Sequence, residues 1–327
     1  MGKFFSKPKY YKPGVGGSLL ILLVMIVGGG ILAGVVSVMA LFISGQFTAE
    51  TASDPSALSI ALSGNLSLMY FAQMIVPVIF IWLVGNSKSI NPMEAPVKVD
   101  GPHLGKFSWF SLGILLLFLT LAVGWALDPL NSLFPIPDSF KELFENIGSK
   151  PVDTILSVAI MAPLFEEFIL RGSIERGLLA RSYTKSNPDE PSKRLVIWAI
   201  IWSSVLFGAM HLNLWQAIPA TIIGCLLGWV YYRTHSIWAT IFMHFVNNFS
   251  SIAMYWIFPQ MDADASSQEN IAMLTGSPLW YWVTVGAGVI VLIVGIWLLN
   301  KYLPKKVLSF KPDTVIFADT QNQQVVR

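Results

Sequence analysis

One cysteine in 327 residues, Cys225, excludes an internal disulfide framework, and its place in an apolar stretch says nothing about redox compartment. Charge is scarce: 12% of residues are Asp, Glu, Lys or Arg, against roughly 25% in ordinary soluble domains, which excludes a soluble enzyme. The formal net charge of +2 leaves no basic field for nucleic acid. Low-complexity tracts and internal repeats are absent too. Disorder is excluded by what is abundant: 54% hydrophobic residues, with 12 Trp, 21 Phe and 9 Tyr.

The apolar residues fall in long runs. A bilayer core of about 30 Å needs about 20 apolar residues per helix at about 1.5 Å each. Eight segments meet or approach that length, near Ser18–Ile43, Leu66–Val84, Phe107–Leu127, Val152–Ile174, Leu195–His211, Gln216–Tyr232, Ile237–Phe258 and Leu279–Leu299. Solid runs rather than alternation exclude a barrel, and lipid tolerates no unpaired backbone, so the runs read as helices. The first run follows a basic stretch but is too long for the apolar part of a signal peptide, and it reads as a retained span.

Placing the N-terminus in the cytoplasm puts 19 of the 21 basic residues on that side, all but Lys141 and Lys150. In this count Arg171 and Arg176 belong to a cytoplasmic segment. The expected fold is an all-α membrane protein, a polytopic bundle of about eight transmembrane helices with N-terminus and C-terminus cytoplasmic. Residues 1–149 form an N-terminal transmembrane region, 150–258 a core, and 259–327 a last helix and tail. Within the first region Phe140, Leu143, Phe144 and Ile147 share a helical face, and 138–147 is expected to lie along the outer surface.

Ionisable groups inside spans are costly, about 2.5–3.5 kcal/mol at the bilayer centre even on insertion scales, and ask for a reason. Span four carries Glu166, Glu167 and Arg171; span five ends on His211; span seven carries His244, Asn247 and Asn248. Glu167 and Arg171, four apart with the acid first, can pair on one face. Glu166, turned about 100° away, has no basic partner in its own segment and suits a carboxylate that trades protons. His244 and Asn248 share a stripe and could hold an oxyanion. His211 offers a second imidazole to orient a water. Alone, a buried Glu–Arg pair or an intramembrane His would be structural; the combination on three helices argues for chemistry. His103 and His235 read as solvated loop positions.

These segments, Glu166-Glu167-x-x-x-Arg171, Phe207-x-x-x-His211 and His244-x-x-x-Asn248, resemble the motif set of the CAAX prenyl protease and bacteriocin-processing family, often called CPBP or Abi. The resemblance covers roughly residues 150–250. It implies an intramembrane endopeptidase in which Glu166 with His211 activates water and His244 with Asn248 steadies the oxyanion. Glu167 and Arg171 would shape the site, with Phe207 supporting it. It also implies a membrane-associated protein or peptide substrate, no nucleic-acid partner, and a multi-pass location in a bacterial inner membrane. No metal is expected, because His-Glu-x-x-His is missing and Asn248 is a poor zinc ligand; zinc held by two His and a carboxylate is the alternative. A proton-coupled transporter and a non-catalytic immunity-type membrane protein are the competing functions.

One piece of geometry resists this reading. By rise per residue, Glu166 and His244 lie about 9 and 10 Å from the cytoplasmic boundary, whereas His211 lies about 24 Å away. A cytoplasmic start for span five or a bend at Pro163 would close the gap. So would a turn at Leu212–Trp215 that stops within the membrane. The expectation is a buried turn there, with a cavity opening to the cytoplasm.

Overall fold

A computed structural model describes residues 13–53, 65–86, 103–134, 150–182, 190–258 and 267–304. Among these residues all regular structure is helical. The longer helices are α1 (Val15–Ile43), α2 (Leu66–Asn86), α3 (Trp109–Asn131), α4 (151–180), α5 (Lys193–Ala209), α6 (Leu214–Thr234), α7 (Ile237–Ile257), α8 (Ser267–Thr275) and α9 (Leu279–Tyr302), with one short turn of helix at Ala49–Ser53 between α1 and α2. Each of the eight predicted spans is a helix. The surface segment expected at 138–147 lies outside the described residues.

Among the described residues five helices are long and apolar enough to cross a membrane: α1, α2, α3, α6 and α9. The chain is therefore a multi-pass integral membrane protein. The three helices outside that set among the predicted spans, α4, α5 and α7, are the ones that carry the motif residues. Their polar side chains lower their hydropathy, and α5 has only 17 residues.

Outward faces of the apolar helices expose Leu20, Ile31, Trp82, Phe118, Ile293 and Trp297, a surface suited to acyl chains rather than water. Inward residues from eight helices, including Ile21, Met74, Leu116, Ile169, Leu206, Leu227, Met243 and Leu299, close one continuous core. Helix α1 packs on α2, α5 on α6, and α9 on α3. The α1–α2 contact is close because Gly29 lies against the Gln73 carbonyl, where any Cβ would collide.

Two polar clusters fasten the bundle. At one, the His103 N–H donates to the Thr234 carbonyl (2.8 Å) and the Lys106 N–H to the Tyr302 carbonyl (3.1 Å). There too the Arg233 guanidinium donates to the carbonyls of Pro304 (2.8 Å) and Leu303 (3.0 Å) and to Asn300 Oδ1 (3.0 Å), capping α9 from outside. At the other, Asp128 of α3 accepts from Ser267 of α8 (2.8 Å) and from the Tyr281 hydroxyl of α9 (2.9 Å).

Helix α4 is not a uniform rod. Wider, π-type turns at Ile155–Met161 and Leu170–Glu175 flank the short α-helical piece Ala162–Ile169. In the first, the Ala162 N–H bonds five residues back to the Ser157 carbonyl. The next donor in that register would come from Pro163, which has none, so the Val158 carbonyl is left for an outside partner.

Candidate active site

The α-helical piece between the two wide turns presents both glutamates to the interior. Glu166 is 6% exposed, Glu167 and Arg171 are fully buried, and His244 is 5% exposed. Arg171 Nη1 donates to Glu167 Oε1 at 2.9 Å, the i,i+4 pair expected from spacing, and Nη2 donates to the Gly224 carbonyl of α6 at 2.9 Å. Arg171 is thus inside the bundle and not in a cytoplasmic segment, as the charge count had it. Its charge is consumed by carboxylates rather than by headgroups.

A second carboxylate completes that neutralisation. Glu175, one further turn along α4, lies with Oε2 3.8 Å from Arg171 Nε and accepts from the Ser203 hydroxyl of α5 at 2.9 Å. Gly228 of α6 makes room for it: a Cβ there would stand 2.6 Å from Glu175 Oε2. The i, i+4, i+8 spacing of Glu167, Arg171 and Glu175 is visible in the sequence and would have identified Glu175 as the second partner.

His244 reaches this cluster from α7. Its Nδ1 lies 3.0 Å from Glu167 Oε1. A carboxylate already paired with Arg171 accepts, so Nδ1 carries the proton and Nε2 faces the opposite way. There Nε2 lies 3.8 Å from Glu166 Oε2. The two neighbouring glutamates therefore flank one imidazole, Glu167 holding its back and Glu166 facing its front.

Asn248, one turn further along α7, donates from Nδ2 to the orphaned Val158 carbonyl at 2.8 Å and accepts at Oδ1 from Asn247 at 3.1 Å. One amide N–H of Asn248 remains for another acceptor. Asn247, which lies off the His244 stripe, acts on Asn248.

His211 ends α5. Its Nδ1 lies 2.8 Å from the Phe207 carbonyl; a carbonyl only accepts, so Nε2 is the acceptor of the neutral ring. The Phe207 ring sits edge-on to both imidazoles, 5.5 Å from His211 and 5.3 Å from His244, with Arg171 4.9 Å above it. His211 thus joins the cluster through Phe207 and not by a hydrogen bond to Glu166.

The turn after His211 corrects the sequence expectation. Leu212 and Leu214 are 74% and 65% exposed, so the turn is not buried in protein. Its polar groups are met locally: Asn213 Oδ1 accepts from the Gln216 N–H (2.9 Å), and Nδ2 donates to the His211 carbonyl (2.9 Å) and to Gln216 Oε1 (2.7 Å). The neighbouring groove of about 350 Å³ is lined by Val205, Ala209, Ala217, Ile218, Thr221 and Ile222, on the α5–α6 flank and away from the glutamates.

His235 is a second correction. It is buried, with its ring 4.7 Å from that of His103, which is exposed as expected.

Tyr70 is not among the residues that spacing singles out. This α2 residue donates its hydroxyl to Glu166 Oε1 at 2.6 Å. A lone tyrosine in an apolar run carries no pattern that distinguishes it from an interfacial or packing residue.

Among the described residues no three His, Cys, Asp or Glu side chains form a metal-binding group. Glu167 is engaged by Arg171 and His244, and Asn248 brings an amide, a poor zinc ligand.

The fold and this cluster define a class: a helical, multi-pass membrane protein with paired carboxylates and imidazoles buried between its helices. Residues 148–250 match the family model described as Type II CAAX prenyl endopeptidase Rce1-like, the family group that the three motifs resemble. Among curated proteins, "Putative membrane peptidase YdiL" of Bacillus subtilis (strain 168) is 31% identical over 111 residues, 34% of this chain. The aligned part spans 40% of that relative's length. No solved structure matches the chain.

Proposed function

We propose that the protein is an intramembrane endopeptidase that hydrolyses a peptide bond of a membrane-associated protein or peptide. The observation that carries this reading is the apposition of Glu166 and His244, from different helices and 3.8 Å apart, in a nearly closed apolar surrounding. The Rce1-like match and the peptidase name of the Bacillus relative point the same way.

Glu166 acts as general base. It takes a proton from water as the water oxygen attacks the scissile carbonyl carbon, and His211 Nε2 accepts a hydrogen bond from the water's other O–H, which stays intact. With Nδ1–H held by Glu167, protonation of His244 puts its second proton on Nε2, where it can donate to the developing oxyanion. The remaining N–H of Asn248 is the second donor, and low local polarity strengthens both. Glu166 then returns its proton to the leaving amine as the C–N bond breaks. Arg171 keeps Glu167 charged and oriented, and Phe207 spaces the two imidazoles.

The three motif helices α4, α5 and α7 are read as further spans beside the five apolar ones, in the inner membrane of a bacterium, with both chain ends in the cytoplasm. The test uses full-length protein in vesicles and a pool of quenched fluorogenic peptides, with and without a lipid chain. Glu166→Gln should reduce cleavage at least about a hundredfold while the protein stays folded and inserted. Cleavage by the variant at the wild-type rate overturns the reading. Solute flux without hydrolysis would favour a transporter instead.

A further inference from the structure

We propose that Tyr70 is a positioning residue for Glu166, so that the active centre extends onto α2, beyond residues 148–250. The inference rests on the reading of Glu166 as general base.

A glutamate that must accept a proton at a fixed point needs its carboxylate plane and its two oxygens assigned. In this site the assignment is complete: Oε1 accepts from the Tyr70 hydroxyl at 2.6 Å, and Oε2 faces His244 Nε2 at 3.8 Å. The short separation is that of an O–H donor on a charged acceptor, the stronger kind of hydrogen bond. Rotation of the carboxylate would leave the hydroxyl without its partner in a buried place, so the bond directs one oxygen to the reaction and keeps the other out of it.

The helix that brings Tyr70 is itself set by α4. Asp153, thirteen residues before Glu166, accepts from the backbone N–H of Leu66 (2.8 Å) and Ser67 (3.2 Å) and from the Ser67 hydroxyl. That carboxylate caps the first turn of α2 from another helix. Tyr70 follows one turn later, and the Phe71 ring packs edge-on to Phe165 at 5.9 Å, beside the glutamate. One helix thus fixes its neighbour's start by Asp153 and receives back, through Tyr70, the hydrogen bond that orients Glu166.

Interhelical fastening alone would also explain a Tyr–Glu bond, so the experiment must read something that fastening does not move. The full-length protein in vesicles is compared as wild type, Tyr70→Phe and Glu166→Gln. The probes are the fluorogenic peptide cut by the wild type and the infrared carboxylate bands. The Glu166 band is identified as the one lost in Glu166→Gln. Expected for Tyr70→Phe is a ten- to hundredfold fall in kcat per folded molecule, KM within twofold, a thermal midpoint near wild type, and a shifted Glu166 band. An unshifted band, or wild-type kcat per folded molecule with loss confined to the amount of folded protein, overturns the proposal. If Glu166→Gln still cuts, the general-base reading fails, and positioning for catalysis fails with it whatever the band does. If Glu166→Gln is inactive while Tyr70→Phe keeps the wild-type kcat, only the Tyr70 proposal fails. The infrared comparison needs no substrate.

Discussion

At the scale of single residues, Arg171 decides the character of the interior. It is one cation between two buried carboxylates, Glu167 and Glu175, and it also donates to the Gly224 carbonyl and covers the Phe207 face. Removing one partner of a buried ionic group leaves the others uncompensated, at a cost of about 3–5 kcal/mol. Arg171→Met should therefore lower the thermal midpoint in detergent strongly. Glu167→Gln in the same chain should restore part of the loss, since one stranded charge goes with it. A midpoint unchanged by Arg171→Met would contradict the cluster. The Glu167–Arg171 pair was legible, because i,i+4 spacing is a property of the helix alone. That Glu167 also holds His244 was not, because contact between α4 and α7 is absent from either helix taken singly.

At the scale of elements, the turn between α6 and α7 shows how a termination is built. His235 stops α6 in the left-handed region (φ +55°), with its N–H on the Tyr231 carbonyl at 2.8 Å. Burial, with a smaller contribution from neighbouring His103, pushes the His235 imidazole down from 6.5 to about 3. Between those values the unfolded chain binds a proton that the folded chain refuses, so stability is fully present above about 6.5 and falls as pH drops toward 3. His235→Asn keeps a residue that tolerates left-handed backbone and removes the titration. Its midpoint should fall less than the wild type's between pH 7 and pH 5; equal falls would refute the assignment. Arg233, counted among the cytoplasmic basic residues, faces the end of α9 in this turn rather than water. Pro163 is the opposite case: its effect could be worked out from the chain, since a proline in a π register must orphan a carbonyl, yet only packing shows Asn248 on it.

At the scale of the whole molecule, the side assignments drawn from Lys and Arg become a geometric statement. Loop 103–107, the turn after α6 and the end of α9 meet through the bonds of His103, Lys106 and Arg233. These segments must therefore lie on one side of the membrane, as the charge count requires of Lys106, Arg233 and Lys301. With Cys225→Ser as background, Lys106→Cys and Lys301→Cys should both react with an impermeant thiol reagent from the cytoplasmic side only. Leu133→Cys, beyond the far end of α3, should react from the other side only. Reaction of the two lysine sites from opposite sides would break the topology.

What the chain determined alone was everything carried by local periodicity and composition. Eight apolar runs became helices because lipid leaves the backbone no other way to satisfy itself, and the costly polar residues were visible against them. Tertiary structure decided the partners: which imidazole faces Glu166, what closes the Val158 carbonyl, and that Tyr70 reaches across from α2. Helical spacing orders side chains around one axis, whereas hydrogen bonds between axes depend on crossing and register, which are set by packing the whole bundle.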